Sequence, residues 1–216
     1  MTATVDWAQV KKSYDGRRIL DIDEITLGPG EVLVVAGANG AGKSTLIRLL
    51  ALVEPADGDS GEYRLFGARV DGGKRLDLRR RLAVVWQEPY MFRRSVYDNI
   101  AMGLNWRKLP DRVIGERVKT VADLLEIEDL NQPAEKLSRG WVQRVALARA
   151  LALEPDFILL DEPLSALDRQ IRARLLAGLK PLLSADGRSA IYVTHSATEA
   201  AGLGARRLLL TNGRRA

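Results

Sequence analysis

Residues Gly37 to Thr45 read GANGAGKST, which fits the pattern G-x-x-x-x-G-K-[ST] after the apolar run VLVVA and before the helical stretch STLIRLLAL. Gly37, Gly40 and Gly42 free the loop to aim backbone N–H groups, those of Ala38, Asn39 and Ala41 among them, around phosphate oxygens. The helix start that follows adds its partial positive charge. Lys43 can then reach the outer phosphates and Ser44 can offer a hydroxyl to Mg²⁺. A second apolar run, FILLDEP, ends in Asp161 and Glu162; one acid can hold Mg²⁺ through water and the other can polarise an attacking water. Gln87 closes the run LAVVW, and His195, the chain's single histidine, closes AIYVT. Taken singly, each has a plainer reading: a glycine-rich turn, a solvated acidic turn, a hydrogen-bonded histidine.

Four short apolar runs must carry these groups: VLVVAG (32–37), LAVVW (82–86), FILL (157–160) and AIYVT (190–194). Each precedes loop residues and a helical pattern, which predicts an α/β fold around a largely parallel sheet. Ligands bind such sheets beyond the carboxyl ends of the strands, so four strand ends converge on one nucleotide–Mg²⁺ site. Ahead of them, VDWAQVKKSYDGRRILDIDEITL reads as an antiparallel hairpin turning at Asp15–Gly16. No strand candidate occurs from Gln87 to about Pro155. Ile114, Val118, Val121 and Leu125 instead keep helical spacing, as do Val145, Leu147, Ala148 and Leu151. Ile171, Leu175, Leu179 and Leu182 predict another helix after Asp168, and Gly58–Gly61 and Asp71–Gly73 read as turns.

With 216 residues the chain is one domain, with or without a subdomain. Its formal net charge of +5 tolerates an anionic partner without choosing among nucleotide, nucleic acid and membrane surface. The absence of cysteine excludes disulfides and thiolate metal sites, and one histidine makes an all-protein zinc site untenable. The first residues show no signal pattern, and no apolar run approaches the ~20 residues that span a bilayer. Any membrane role is therefore peripheral.

Together these residues resemble the ATPase subunit of ABC transporters across essentially the whole chain. GANGAGKST resembles that family's Walker A, Gln87 its Q-loop, LSRGWVQRVALARAL its signature region, FILLDEP its Walker B, SALD (Ser165 to Asp168) its D-loop and His195 its switch histidine. The resemblance implies a P-loop NTPase (RecA-like) core with an N-terminal antiparallel β layer, over 1–87 and 156–216, and an inserted helical subdomain over 88–155. It implies ATP and Mg²⁺ as ligands: Lys43, Ser44 and Thr45 bind phosphate and metal, Gln87 and Asp161 serve the metal, Glu162 is the general base and His195 contacts the γ-phosphate. Tyr14 matches the aromatic on which adenine stacks. Two copies would pair head to tail, Ser138 and Gly140 reaching the partner's ATP, and Asp168 of the D-loop counts among the nucleotide-binding residues.

The usual signature is LSGGQ, so Arg139 and Trp141 stand where a glycine and the glutamine are expected. Arg139 either adds a cation near the partner's nucleotide or points to solvent; Trp141 reads best as subdomain packing. The resemblance further implies a homodimer on the cytoplasmic face of the membrane, beneath integral permease subunits that dock near Gln87–Leu104, with a separate solute-binding protein. Tyr90, Met91 and Phe92 in that segment are either a docking groove or subdomain core. The wording is most similar to importers of oxyanions such as tungstate or molybdate. The chain stops soon after LLLTNGRR, so no appended regulatory domain is expected. Two alternatives stand: a soluble ABC-type ATPase acting on nucleic acid or ribosomes, against which count the missing long coiled coil and second cassette of such proteins, and an exporter ATPase subunit; no nucleic-acid partner is expected.

Overall fold

The computed structural model describes residues 2–71, 73 and 75–216. Gly72, inside the expected turn at 71–73, lies outside the described residues. Strand β1 (Val5–Tyr14) pairs antiparallel with β2 (Arg17–Leu27), and Asp15 and Gly16 between them both take positive φ, +48° and +76°. That is the geometry a two-residue hairpin requires. After β3 (Val32–Gly37) and helix α1 (Lys43–Leu50), two short strands not anticipated from the sequence, β4 (Tyr63–Leu65) and β5 (Ala68–Arg69), extend the hairpin to a four-stranded sheet in the order β2-β1-β4-β5.

Helix α2 (Arg75–Arg80) leads into β6 (Leu82–Val85), and three helices follow: α3 (Val96–Trp106), α4 (Asp111–Leu124) and α5 (Arg139–Leu151). The chain then alternates through β7 (Phe157–Asp161), α6 (Arg169–Leu182), β8 (Ser189–Thr194), α7 (Ala197–Leu203), β9 (Arg206–Thr211) and β10 (Arg214–Arg215). The larger sheet has the order β10-β9-β3-β8-β7-β6, parallel except at β10. Three of the four predicted runs, β3, β8 and β7, are its inner strands, and the fourth, β6, forms one edge.

Side-chain alternation explains why these runs read as unbroken apolar stretches. Along β7, Ile158 and Leu160 enter a core shared with α3 to α7, while Phe157 and Leu159 enter a second core shared with α1 and the β1-containing sheet. Both faces of the parallel sheet are covered, so every position is apolar. The result is a three-layer α/β arrangement, the P-loop NTPase fold with an antiparallel layer at one side. Its carboxyl-terminal strand edge presents Gly37, Asp161 and Thr194 side by side.

Candidate functional site

The loop after β3 is shaped by glycines at positions that tolerate nothing else. A Cβ on Gly37 would lie 2.4 Å from the Leu210 carbonyl of neighbouring β9. Gly42 takes φ +96° and a Cβ there would meet Leu20 Cδ2 at 2.6 Å and Ile19 O at 3.1 Å. Gly42 also caps α1 without a side-chain bond, so the first N–H groups of that helix remain free for an anion. Ala38, Asn39 and Gly40 form the exposed crest, while Ala41 and Thr45 are buried beneath it. Lys43 is 6% exposed; its Nζ donates to Gly37 O at 2.9 Å and Ala38 O at 3.0 Å. The ammonium is thus desolvated and held across the mouth of the loop it would share with phosphate.

Asp161 and Glu162 sit beside this loop. Burial pushes the Asp161 carboxyl above the usual carboxylate range, and the hydrogen-bonded Ser44 hydroxyl, Lys43 and Arg48 offset that only in part. A buried carboxylate, a hydroxyl and the Gln87 amide form an oxygen-donor set that fits Mg²⁺. Glu162 takes φ +48°, an uncommon left-handed conformation for a side-chain-bearing residue, secured by its N–H donating to Val193 O at 3.0 Å. The twist turns its carboxylate toward two other loops. His195 Nδ1 lies 3.0 Å from Glu162 Oε2, and Gln87 Nε2 donates to the same oxygen at 3.5 Å. His195 keeps more than half its side chain exposed, whereas Glu162 is nearly closed off. The structure therefore brings Lys43, Ser44, Gln87, Asp161, Glu162 and His195 into one constellation from four strand ends.

The other predicted residues lie apart from it. Ser138 is the exposed N-cap of α5, yet its hydroxyl makes no capping bond, leaving both it and the helix start available. A Cβ on Gly140 would come within 3.0 Å of Leu167 Cδ2, so this glycine allows α5 to approach the Ser165–Asp168 loop. Arg139 is exposed. Trp141 packs against the helical core with the Arg144 guanidinium 4.8 Å from its ring centroid, as its packing reading requires. Asp168 caps α6, Oδ1 accepting from the Gln170 and Ile171 N–H groups, and these bonds hold its carboxyl below the usual range. Tyr14 ends β1 partly exposed; its hydroxyl donates to Glu54, and Lys12 Nζ stands 5.2 Å from the ring centroid.

Tyr90, Met91 and Phe92 do three different things. Met91 packs on the helical core, Tyr90 borders a 600 Å³ cleft with Gln87 and Arg139, and Phe92 lines a 570 Å³ groove with Trp86 and Trp106. Sequence reasoning missed Trp106, which is 76% exposed, and the four arginines of that groove, Arg79, Arg80, Arg107 and Arg149. The helical spacing of Val96, Ile100 and Leu104 is the signal that puts Trp106 on a helix at this face. No helix among the described residues is long and apolar enough to cross a membrane.

A family model described as "ABC transporter" matches residues 20–165, from β2 through the Glu162 loop. The chain belongs to that family. Among curated ABC relatives it is 40% identical over 211 residues to the molybdate/tungstate import ATP-binding protein WtpC of Thermococcus kodakarensis, covering 95% of this chain and 61% of the relative. It is 38% identical over 215 residues to the sn-glycerol-3-phosphate import ATP-binding protein UgpC of Vibrio vulnificus, covering 97% and 56%. The sulfate/thiosulfate import ATP-binding protein CysA of Salmonella typhi is 37% identical over 217 residues, with 97% and 58% covered. The chain thus spans little more than half the length of these relatives. Among solved structures, cbiO1 of Clostridium perfringens, part of the ABC transporter complex cbiONQ, superposes with a TM-score of 0.87 at 27% identity over 100% of this chain and 88% of that one. A dimeric ATP-binding cassette in a post-hydrolysis state bound to ADP and Pi does so at 0.86 and 26% identity, covering 98% and 96%.

Proposed function

We propose that this chain is the ATP-binding and ATP-hydrolysing subunit of an ABC importer, acting as a homodimer on the cytoplasmic face of a membrane. The observation that carries the reading is the Glu162 carboxylate, aimed by a left-handed turn at His195 and Gln87 beside the Lys43 loop. Lys43 and the free N–H groups of α1 hold the outer phosphates. Glu162 accepts the proton of the attacking water, with its carboxylate oriented by His195 and Gln87. Mg²⁺, when bound, neutralises charge on the phosphate oxygens, and Ser44, Asp161 and Gln87 would hold it. Ser138, unused within its own chain, and Gly140 address the ATP of a second copy, while Asp168 shapes that interface through the loop it terminates. Tyr14 offers its ring to adenine.

The arginine-lined groove beside Phe92 and Trp106 receives a helix of an integral membrane subunit. With four arginines and no acidic residue in its lining, it fits a helix with an apolar face and carboxylates at its edge. The named cargoes of the three relatives are all oxyanions or carry a phosphate ester. The reading extends to an oxyanionic cargo, tungstate or molybdate among the choices, which those names support, and to delivery by a separate solute-binding protein. Tagging the chain and purifying it from its native membranes in mild detergent tests the reading: an integral membrane subunit should accompany it. Ribosomal or DNA-bound partners in its place would refute it.

A further inference from the structure

The residues after β8 read THSATE, and Ser196 with Glu199 has the spacing of a capping box, in which the glutamate reaches back to the N–H of the capping serine. The structure does otherwise. Ser196 Oγ does accept from Glu199 N, but the Ser196 N–H donates to Thr194 Oγ1 at 3.0 Å. The Glu199 carboxylate is thereby released from capping and turns inward, leaving its side chain only 5% exposed. Its Oε2 accepts hydrogen bonds from Thr194 Oγ1 and Tyr192 OH, both at 2.9 Å. Burial, with the Glu199 charge adding to it, pushes the Tyr192 phenol far above its usual range, so it remains a donor.

A buried carboxylate needs a counter-charge, and Arg172 of α6 supplies it, with Nη1 3.6 Å from Glu199 Oε1. The same guanidinium donates through Nη2 to Leu167 O at 2.8 Å and Ser165 O at 3.3 Å. Those carbonyls belong to the loop that follows Glu162. Ser165 Oγ donates to Glu162 O at 3.0 Å and accepts from Gln143 Nε2 of α5 at 2.8 Å, while Gln143 Oε1 accepts from Ala166 N at 2.8 Å. One continuous set of polar contacts therefore runs from the signature helix through the loop after Glu162 to the loop that carries His195.

We infer that Glu199 and Arg172 are positioning residues, a buried ion pair that sets the His195 loop and the 162–168 loop in register so that His195 meets Glu162. Neither touches the reacting atoms. Their effect reaches His195 through Thr194 and reaches Glu162 through the carbonyls of Ser165 and Leu167. The inference deepens the proposed ATPase reading and rests on it for its kinetic part only.

His195 is the chain's one histidine, so its imidazole gives unique NMR resonances. The test compares Glu199→Gln and Arg172→Gln with the wild-type chain at one fixed pH, folded state being verified by circular dichroism. Both variants should displace the His195 imidazole resonances, although Arg172 lies on α6 and its polar partners are Ser165, Leu167 and Glu199 rather than His195. Each should lower kcat for ATP by on the order of tenfold with KM changed less than twofold. Arg172 is 29% exposed, so its replacement leaves no sealed cavity if Glu199→Gln fails to fold. Folded variants with unmoved His195 resonances overturn the inference whatever the kinetics. Moved resonances in a chain whose wild type turns over no ATP would uphold the coupling and refute the ATPase reading.

Discussion

Replacing Glu162 by glutamine separates the chemical role of this residue from its structural one. The two side chains have the same shape, so a site that leaves the carboxylate only 9% exposed accepts the amide without a void. The backbone strain at φ +48° is identical in both forms and cancels from the comparison. The amide oxygen can take the place of Oε2 before His195 Nδ1, which preserves the contact at 3.0 Å in neutral form. Proton acceptance is what disappears. A positioned general base contributes roughly 10²- to 10⁴-fold, so turnover should fall about 10³-fold, or about 4 kcal/mol of barrier. ATP binding moves the other way, because a negative charge is removed from beside a triphosphate. At an effective dielectric near 20, two unit charges about 5 Å apart repel by roughly 3 kcal/mol. Solvent ions take part of that, leaving ATP affinity raised by up to about tenfold and the ATP-bound dimer longer-lived. Single-turnover hydrolysis, nucleotide titration and gel filtration with ATP and Mg²⁺ check the three parts. Turnover near the wild-type rate would refute the base assignment, and loss of ATP binding would show that the charge had been holding the loop.

Gly42→Ala should cost about 3 kcal/mol, from the left-handed backbone and the crowding against Leu20, and lower the melting temperature by roughly 6–12 °C; calorimetry reads this directly. Asp161→Asn should raise the melting temperature of the nucleotide-free chain while abolishing its stabilisation by ATP with Mg²⁺. The sign follows from burial, which raises the Asp161 pKa in the folded state, so the native chain holds that proton more tightly than the unfolded one. The contribution to stability is favourable below the ordinary aspartate range and is lost as pH rises through the raised value; asparagine removes that loss at neutral pH. Phe92→Ala should abolish co-purification of the membrane subunit with ATP affinity unchanged, and undiminished recovery would place the docking surface elsewhere. Arg139→Gly together with Trp141→Gln should raise ATP turnover several-fold if the altered signature slows the chain, at the expense of about 1 kcal/mol from the lost Trp141–Arg144 contact; unchanged turnover would clear those residues of that role.

Strands buried on both faces announce themselves as short apolar runs, which is why β3, β6, β7 and β8 were legible. Their loops carried the chemistry because the carboxyl edge of such a sheet is where free backbone groups accumulate. The same physics hid β9, whose residues alternate between core and solvent, with Leu209 half exposed. It hid β4 and β5 because three- and two-residue strands have no period to detect. Helix α3 lies inside the helical subdomain expected over 88–155, and although Val96, Ile100 and Leu104 keep a helical interval and Ser95 caps it through Asp98 N, it does not stand out as one stripe because its apolar residues divide between core and groove. The Gln143, Arg172 and Glu199 contacts join α5, α6 and α7 through side chains. Only the S-x-x-E spacing hinted at Glu199, and it pointed to a surface cap.

The proposed homodimer accounts for a phosphate site that is only half built within one chain. Lys43 spends its hydrogen bonds on the loop carbonyls, and the Glu162 carboxylate faces His195 and Gln87, so both groups are already engaged within the chain. A triphosphate must displace the Lys43–carbonyl contacts, and it regains their energy only if its own charge is met on every side. The Lys43 loop meets it on one side. The complementary group is the open start of α5, where Ser138 makes no cap and no side-chain bond, but α5 is tethered by Gly140, Gln143 and Leu167 to the loop after Glu162 rather than to Lys43. Within one chain the two halves of the phosphate site therefore face different partners. In the homodimer proposed above, a second copy would supply the missing half in both directions at once, and the bond network that fixes α5 to the Glu162 loop would let occupation of one site report on the geometry of the other.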